Sequence, residues 1–185
     1  MIEVEFNEGE QIAALFARLR AHLSDLSPVM QDIGEQQVAA TRGRFLAGQA
    51  PDGSVWAPKS PATLAAQAAR GDRADPRPLF GPSRRLSTEI FYRVAPGGAS
   101  VTIGSSLIYA AVQQYGAAQG QFGARMGRTR PSEKRPQSQD YFFPIPWGDI
   151  PARPFLGLSD QGRSDIVAIL TEWLESAMNE GGAQA

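Results

Sequence analysis

Proline restricts this chain more than any other residue. All but one of its 14 prolines fall between Pro51 and Pro154. Proline fixes φ and has no N–H to donate, so it breaks helices and is confined to the edges of sheets. The sharpest case is "IPARPFLGLSD", Ile150–Asp160. Pro151 and Pro154 forbid a regular helix there and hold the segment extended at little cost in entropy. Arg153 stands between them, directly before Phe155 and Leu156. An arginine in a rigid, apolar arm needs a partner.

The proline-rich middle separates two kinds of sequence. Before it, "IEVEF" at 2–6 alternates apolar and acidic residues and reads as a short strand. A helix is predicted over about 8–25, with Ile12, Leu15, Phe16, Leu19, Leu23 and Leu26 on one face and His22 beside them. Ser27-Pro28 starts a second helix, with Ser27 as N-cap, that runs to about Gly48. Its apolar stripe is weak, and Gln36, Gln37, Arg42 and Arg44 interrupt it, which predicts a surface helix or one that meets a partner. After the prolines, Ile166, Ile169, Leu170, Trp173, Leu174 and Ala177 mark an amphipathic helix over about 160–179, ended by Gly181-Gly182. Asp160 and Asp165 complement its N-terminal dipole.

Between these helices, Pro51-Asp52-Gly53 is a turn, followed by Trp56 among prolines. A short helix is predicted over 62–70, then an irregular connection through "GDRADPRPLFGPSRRL". Residues 88–95 and 99–104 read as a β-hairpin around Pro96-Gly97-Gly98. "YAAVQQYG", 109–116, is a helical turn closed by Gly116, and Gly104 and Gly116 both read as backbone turns. "DYFFPIPWGDI" reads as an edge strand. The segment 117–139 is polar and basic and reads as a mobile loop. The expected class is α+β: N-terminal helices, a small antiparallel sheet with long loops, and a C-terminal amphipathic helix, in a single domain over 1–185.

With 185 residues, 42% hydrophobic and 20% charged, the chain suits one globular domain that buries about 70% of its unfolded surface. A net charge of −1 gives no global attraction to nucleic acid or acidic lipid. The absence of cysteine excludes disulfides, thiolate metal sites and cysteine nucleophiles. The acidic N-terminus is unlike a signal peptide, and no apolar run is long enough for a membrane helix. His22 is the only histidine and lies within an amphipathic helix. No phosphate-binding glycine loop or calcium loop is present. Neither an enzyme nor a cofactor or metal site is expected. Arg125, Arg128, Arg130, Lys134 and Arg135 are a candidate contact for phosphate or for an acidic partner.

Four segments, in order, resemble the phage virion morphogenesis family of Mu-like phages, also called the tail-completion family. They are "FLAGQAPDGSVWAPKSPATL", "PLFGPSRRLSTEIFY", "VTIGSSLIYAAVQQYGA" and "IPARPFLGLSD" with the helix after it. The resemblance covers about residues 40–175. Gln113-Gln114 departs from it where the family often has His before Gln, and no chemistry is expected to depend on that change. Ser83-Arg84 stands where Thr-Gly is common.

The resemblance implies a structural protein of the virion, assembled in the cytoplasm of the bacterial host and resident in the neck or tail. It implies tail completion or head–tail joining through an oligomeric ring. The partners would be head-closure or connector proteins and tail-terminator or tail-tube proteins, with no membrane and with DNA contact secondary. A tail terminator, another neck position and a DNA-contacting morphogenesis factor are the alternatives. The candidate interface residues are Trp56, Tyr109, Tyr115, Arg153, Phe155 and Leu156. Arg153 could fix register against a neighbouring chain or bridge within its own. Trp56, Tyr109 and Phe155 could meet a neighbour or fill the core.

Overall fold

The computed structural model describes residues 9–72, 75–128 and 137–179. The expected strand at 2–6, the Gly181-Gly182 stop and the side chains of Arg130, Lys134 and Arg135 lie outside them. Among the described residues are helices α1 (Gly9–Leu23), α2 (Ser27–Ala47), α3 (Pro61–Ala69), α4 (Arg85–Thr88), α5 (Ala110–Tyr115) and α6 (Asp160–Asn179). Four strands form two separate two-stranded sheets, β1 (Ile90–Val94) with β2 (Val101–Ser105) and β3 (Ala124–Arg128) with β4 (Asp140–Pro144). The class is α+β. The backbone falls into two compact units. Among the described residues, one comprises 9–43, 90–104 and 158–179, the other 44–72, 75–89, 105–128 and 137–157.

In the first unit, α1 packs against α6. The His22 and Trp173 rings meet edge to face, 6.0 Å apart. Gly162 and Ala177 are the buried positions of α6. The Ser159 hydroxyl accepts the Gly162 N–H at 3.0 Å and so caps α6. The polar stripe of α2 proves to be a packing face. Gln36 donates to Asp165 Oδ2 at 2.9 Å, and buried Gln37 lies against the Gly162 backbone. The cap of α2 differs from the expectation: Asp25 Oδ1 accepts the Ser27 N–H at 2.9 Å, and Ser27 is already helical. These hydrogen bonds from Ser27 hold the Asp25 carboxyl below its ordinary pKa.

The β1–β2 hairpin turns through Pro96–Gly98 as expected. Gly98 has φ +70°, and an added Cβ would sit 2.2 Å from the Leu26 carbonyl carbon. Only glycine fits there. Gly104, expected in a turn, is instead a strand residue of β2 with the Phe91 ring over it. The Tyr92 ring lies against Gly34 of α2, and the Tyr92 hydroxyl reaches Glu35 Oε1 at 3.2 Å.

The second unit is built around Phe45, in the last turn of α2. Its ring lies 5.5 Å from Trp56, 6.3 Å from Phe80 and 5.4 Å from Phe155. All four side chains are buried. Where a loop was expected at 117–139, the described residues include β3. It pairs antiparallel with β4 in the register Met126↔Phe142 and Arg128↔Asp140. Alternation puts Met126 and Phe142 on one face and Tyr141 and Phe143 on the other. Tyr141, Phe143 and Trp147 form a cluster with ring centroids 5.6–6.3 Å apart.

Candidate functional site

The proline arm at 150–156 answers the question that Arg153 poses. Ile150 pairs with Ala117 through two backbone hydrogen bonds of 2.8 and 2.9 Å. The Arg153 N–H donates to Gln113 O at 2.8 Å. The residue is only 8% exposed, and its guanidinium donates from Nε to Ala57 O at 2.7 Å and from Nη2 to Pro58 O at 2.8 Å. Prolines leave neighbouring carbonyls without a regular ladder, and the arginine fork satisfies two of them together. Its contacts are therefore made within its own chain.

The rest of the arm is held in the same way. Trp56 Nε1 donates to Pro154 O at 2.8 Å, and Arg44 Nη1 donates to Phe155 O at 3.1 Å. Gln114 makes three bonds. Its Oε1 accepts the N–H groups of Phe155 and Leu156, each at 3.0 Å, and its Nε2 donates to Leu156 O at 2.9 Å. Gly116 permits the approach of α5 to the arm, because an added Cβ would stand 2.7 Å from Ile150 O. Burial pushes the Arg44 and Arg153 guanidinium groups below their ordinary pKa.

The candidate interface residues thus divide. Trp56, Arg153 and Phe155 are buried in the second unit, and Leu156 is part-buried with its backbone held by Gln114. They build the platform, and of these four Arg153 also lines the cleft beside the arm. Tyr109 and Tyr115, at the two ends of α5, remain exposed. Of the basic candidates, Arg128 forms a two-bond pair with Asp140, at 2.7 and 3.3 Å. That pair holds the guanidinium above its ordinary pKa. Arg125 is exposed on β3.

Beside the arm lies a cleft of about 490 Å³, lined by Tyr109, Gln113, Pro151, Arg153, Lys59 and Leu86 among others. Lys59 donates to the carbonyls of Asp75 and Phe80. Asp75 is gripped by Arg77, with Nη2 at 2.6 Å, and lies 3.8 Å from Arg84. The Arg77 hydrogen bonds hold its carboxyl far below the ordinary carboxylate range. Arg77 also stacks on Phe80, 4.1 Å from the ring centroid.

The site is a side-chain-clamped platform carrying exposed aromatic groups. Residues 7–175 match the model of the phage virion morphogenesis family. The chain belongs to that family. Phage virion morphogenesis proteins take part in assembling the phage particle, so this platform is part of a virion assembly protein. No curated protein and no solved structure gives a significant match.

The sequence drew attention to Arg153 and Phe155 but missed their holders. No chemistry was expected to depend on the departure at Gln113-Gln114, Arg44 was read only as an interruption of the α2 stripe, and Lys59 was not singled out. One signal was available: Gln113-Gln114 stand on a short helix that ends at a glycine, close to a second proline segment whose carbonyls and N–H groups need partners.

Proposed function

We propose that this chain is a structural protein of the phage neck that completes the tail or joins it to the head, acting through protein–protein contacts in an oligomeric ring. Family membership supports the virion role. The observation that carries a contact-based mechanism is the set of large apolar side chains left exposed on the second unit. Ile108, just before α5, is 97% exposed, Tyr115 at its end is 80% exposed, and Phe142 is 72% exposed opposite Met126 on the β3–β4 hairpin. Exposed apolar groups mark interaction surfaces when they cluster. The backbone beneath Tyr115 is already fixed by Gln113, Gln114 and Gly116, which lowers the entropy lost on association.

In this reading the chain is not an enzyme. His22, the only histidine, packs against Trp173 between helices. A tail terminator or another neck position is the alternative within the same class. The DNA-contacting reading is weakened at one of its cations, since Asp140 neutralises Arg128.

The test is the mass of the purified protein in solution, alone and mixed with the head-closure and tail-terminator proteins of the same phage. A ring, or a monomer that joins one of these partners as a ring, is expected. The double variant Ile108→Ala/Tyr115→Ala should stay folded and assemble less. A monomer that ignores both partners and binds DNA at physiological salt would overturn the neck assignment.

A further inference from the structure

We propose that the cleft beside the arm is a socket for the carboxylate of an acidic, partly apolar peptide segment on a partner protein. The proposal rests on the contact-based function above and adds the chemistry of one contact. Two cations, Lys59 and Arg153, line the cleft. Each is anchored by backbone carbonyls. The Lys59 ammonium has three N–H donors and uses two, on Asp75 O and Phe80 O. The Arg153 guanidinium has five and uses two, on Ala57 O and Pro58 O. Among the described residues, no carboxylate lies within ion-pair distance of either one.

The charges are also close enough to oppose each other. Burial is the main cause that lowers the Lys59 pKa. Asp75 acts in the other direction, and Arg153 and then Arg77 lower it further. An anion between Lys59 and Arg153 would relieve that repulsion and meet the unused donors. One carboxylate, Asp149, also lines the cleft, and its Oδ1 is occupied by the Gln119 N–H at 2.8 Å.

The remaining walls select the kind of anion. Pro58, Pro61, Leu79, Leu86 and Ile150 are apolar, and Tyr109 is a half-exposed aromatic at the cleft. Such walls suit a carboxylate carried on an apolar body, as in an acidic residue flanked by apolar ones. A bare phosphate gains nothing from them. The pairing is charge-assisted, and Arg153 offers the planar donor geometry that carboxylates prefer.

The experiment is a titration of isotope-labelled full-length protein by NMR, following the backbone amides of Tyr109, Gln113, Ile150 and Arg153. The probes are hippurate, its uncharged amide hippuramide, and inorganic phosphate. Hippurate should cause saturable shifts at these amides and weaken as salt is added. Hippuramide and phosphate should cause none at the same concentrations. Tyr109→Ala, which leaves the anchored cations in place, should raise the hippurate Kd about fivefold. Equal binding of hippuramide would overturn the proposal, because charge would not be recognised. Equal binding of phosphate would also overturn it, because the apolar walls would not matter. So would the absence of shifts at the cleft amides. All of these results are read on the isolated protein, so none depends on whether the ring forms.

Discussion

Gln114 Oε1 accepts the backbone N–H of Phe155 at 3.0 Å, and the same atom also accepts the N–H of Leu156. One side chain thus replaces the strand that the arm lacks. Gln114→Ala would leave two donors and the Leu156 carbonyl without partners. The expected loss is about 2–4 kcal/mol, from the cost of leaving part-buried polar groups unpaired. Urea unfolding followed by tryptophan fluorescence measures it. Gln114→Glu should lose a similar amount, because it puts a second acceptor against Leu156 O.

Arg153→Lys keeps the charge and removes the fork. A lysine has one nitrogen to reach Ala57 O and Pro58 O, which Arg153 binds from Nε and Nη2. A loss of about 2–3 kcal/mol is expected, although the change conserves charge. An unchanged urea midpoint would show that the fork contributes nothing to stability.

Gly116 has φ +76° and ψ 179°, a region that is essentially restricted to glycine. Gly116→Ala combines about 1–3 kcal/mol of backbone strain with a contact of 2.7 Å to Ile150 O. Thermal unfolding should show it to be among the most damaging single substitutions in the second unit.

Two glycines of α2 should respond with opposite signs. At Gly34 an added Cβ would fall 2.5 Å from Tyr92 Cδ2 and 2.7 Å from Cγ, and at Gly43 it would meet nothing within 4 Å. Gly43→Ala should stabilise by about 0.5–1 kcal/mol through helix propensity. Gly34→Ala should destabilise, because the whole Tyr92 ring must shift. Paired melting curves decide between these outcomes.

Asp75 gives the acid response a sign. Its carboxyl titrates far below the ordinary value in the folded chain because of its hydrogen bonds to Arg77. A lowered folded-state pKa means stability that is present above the unfolded value and lost as pH falls below about 4. Asp75→Asn should therefore be less stable than the wild type at neutral pH, with the difference shrinking as the pH is lowered through the acid range. Urea midpoints across pH 7 to 2 test this, and a difference that is constant with pH would contradict the assignment.

Periodicity made the helices legible. The 160–179 stripe predicted α6, whose bounds are Asp160–Asn179, and the turn signals at Pro96–Gly98 and Gly116 stand where β1–β2 and α5 end. What stayed hidden has one physical cause. Gln36, Gln37, Gln114 and Arg44 are polar side chains that act by satisfying backbone or side-chain groups far away in the sequence. An apolar–polar pattern assigns such residues to the surface. The same rule assigned 117–139 to a loop, because Met126 shares its face with Arg128 and leaves too little apolar–polar alternation to reveal a strand. The local reading of Arg153 needed the positions of two carbonyls about a hundred residues earlier, which no local pattern contains.

The arm has a consequence for how this protein comes into being. Phe155 closes the ring cluster begun by Phe45, and Arg153 reaches back 96 residues to Ala57. Contacts this distant in sequence make folding slow, because the intervening chain must first lose its freedom. A nascent chain that has not yet released the arm from the ribosome holds Phe45, Trp56 and Phe80 without their last partner. The second unit therefore completes only once the arm itself has been made. Messages cut short before Phe155 would yield chains with an unfinished core, suited to degradation and unsuited to entering a growing virion.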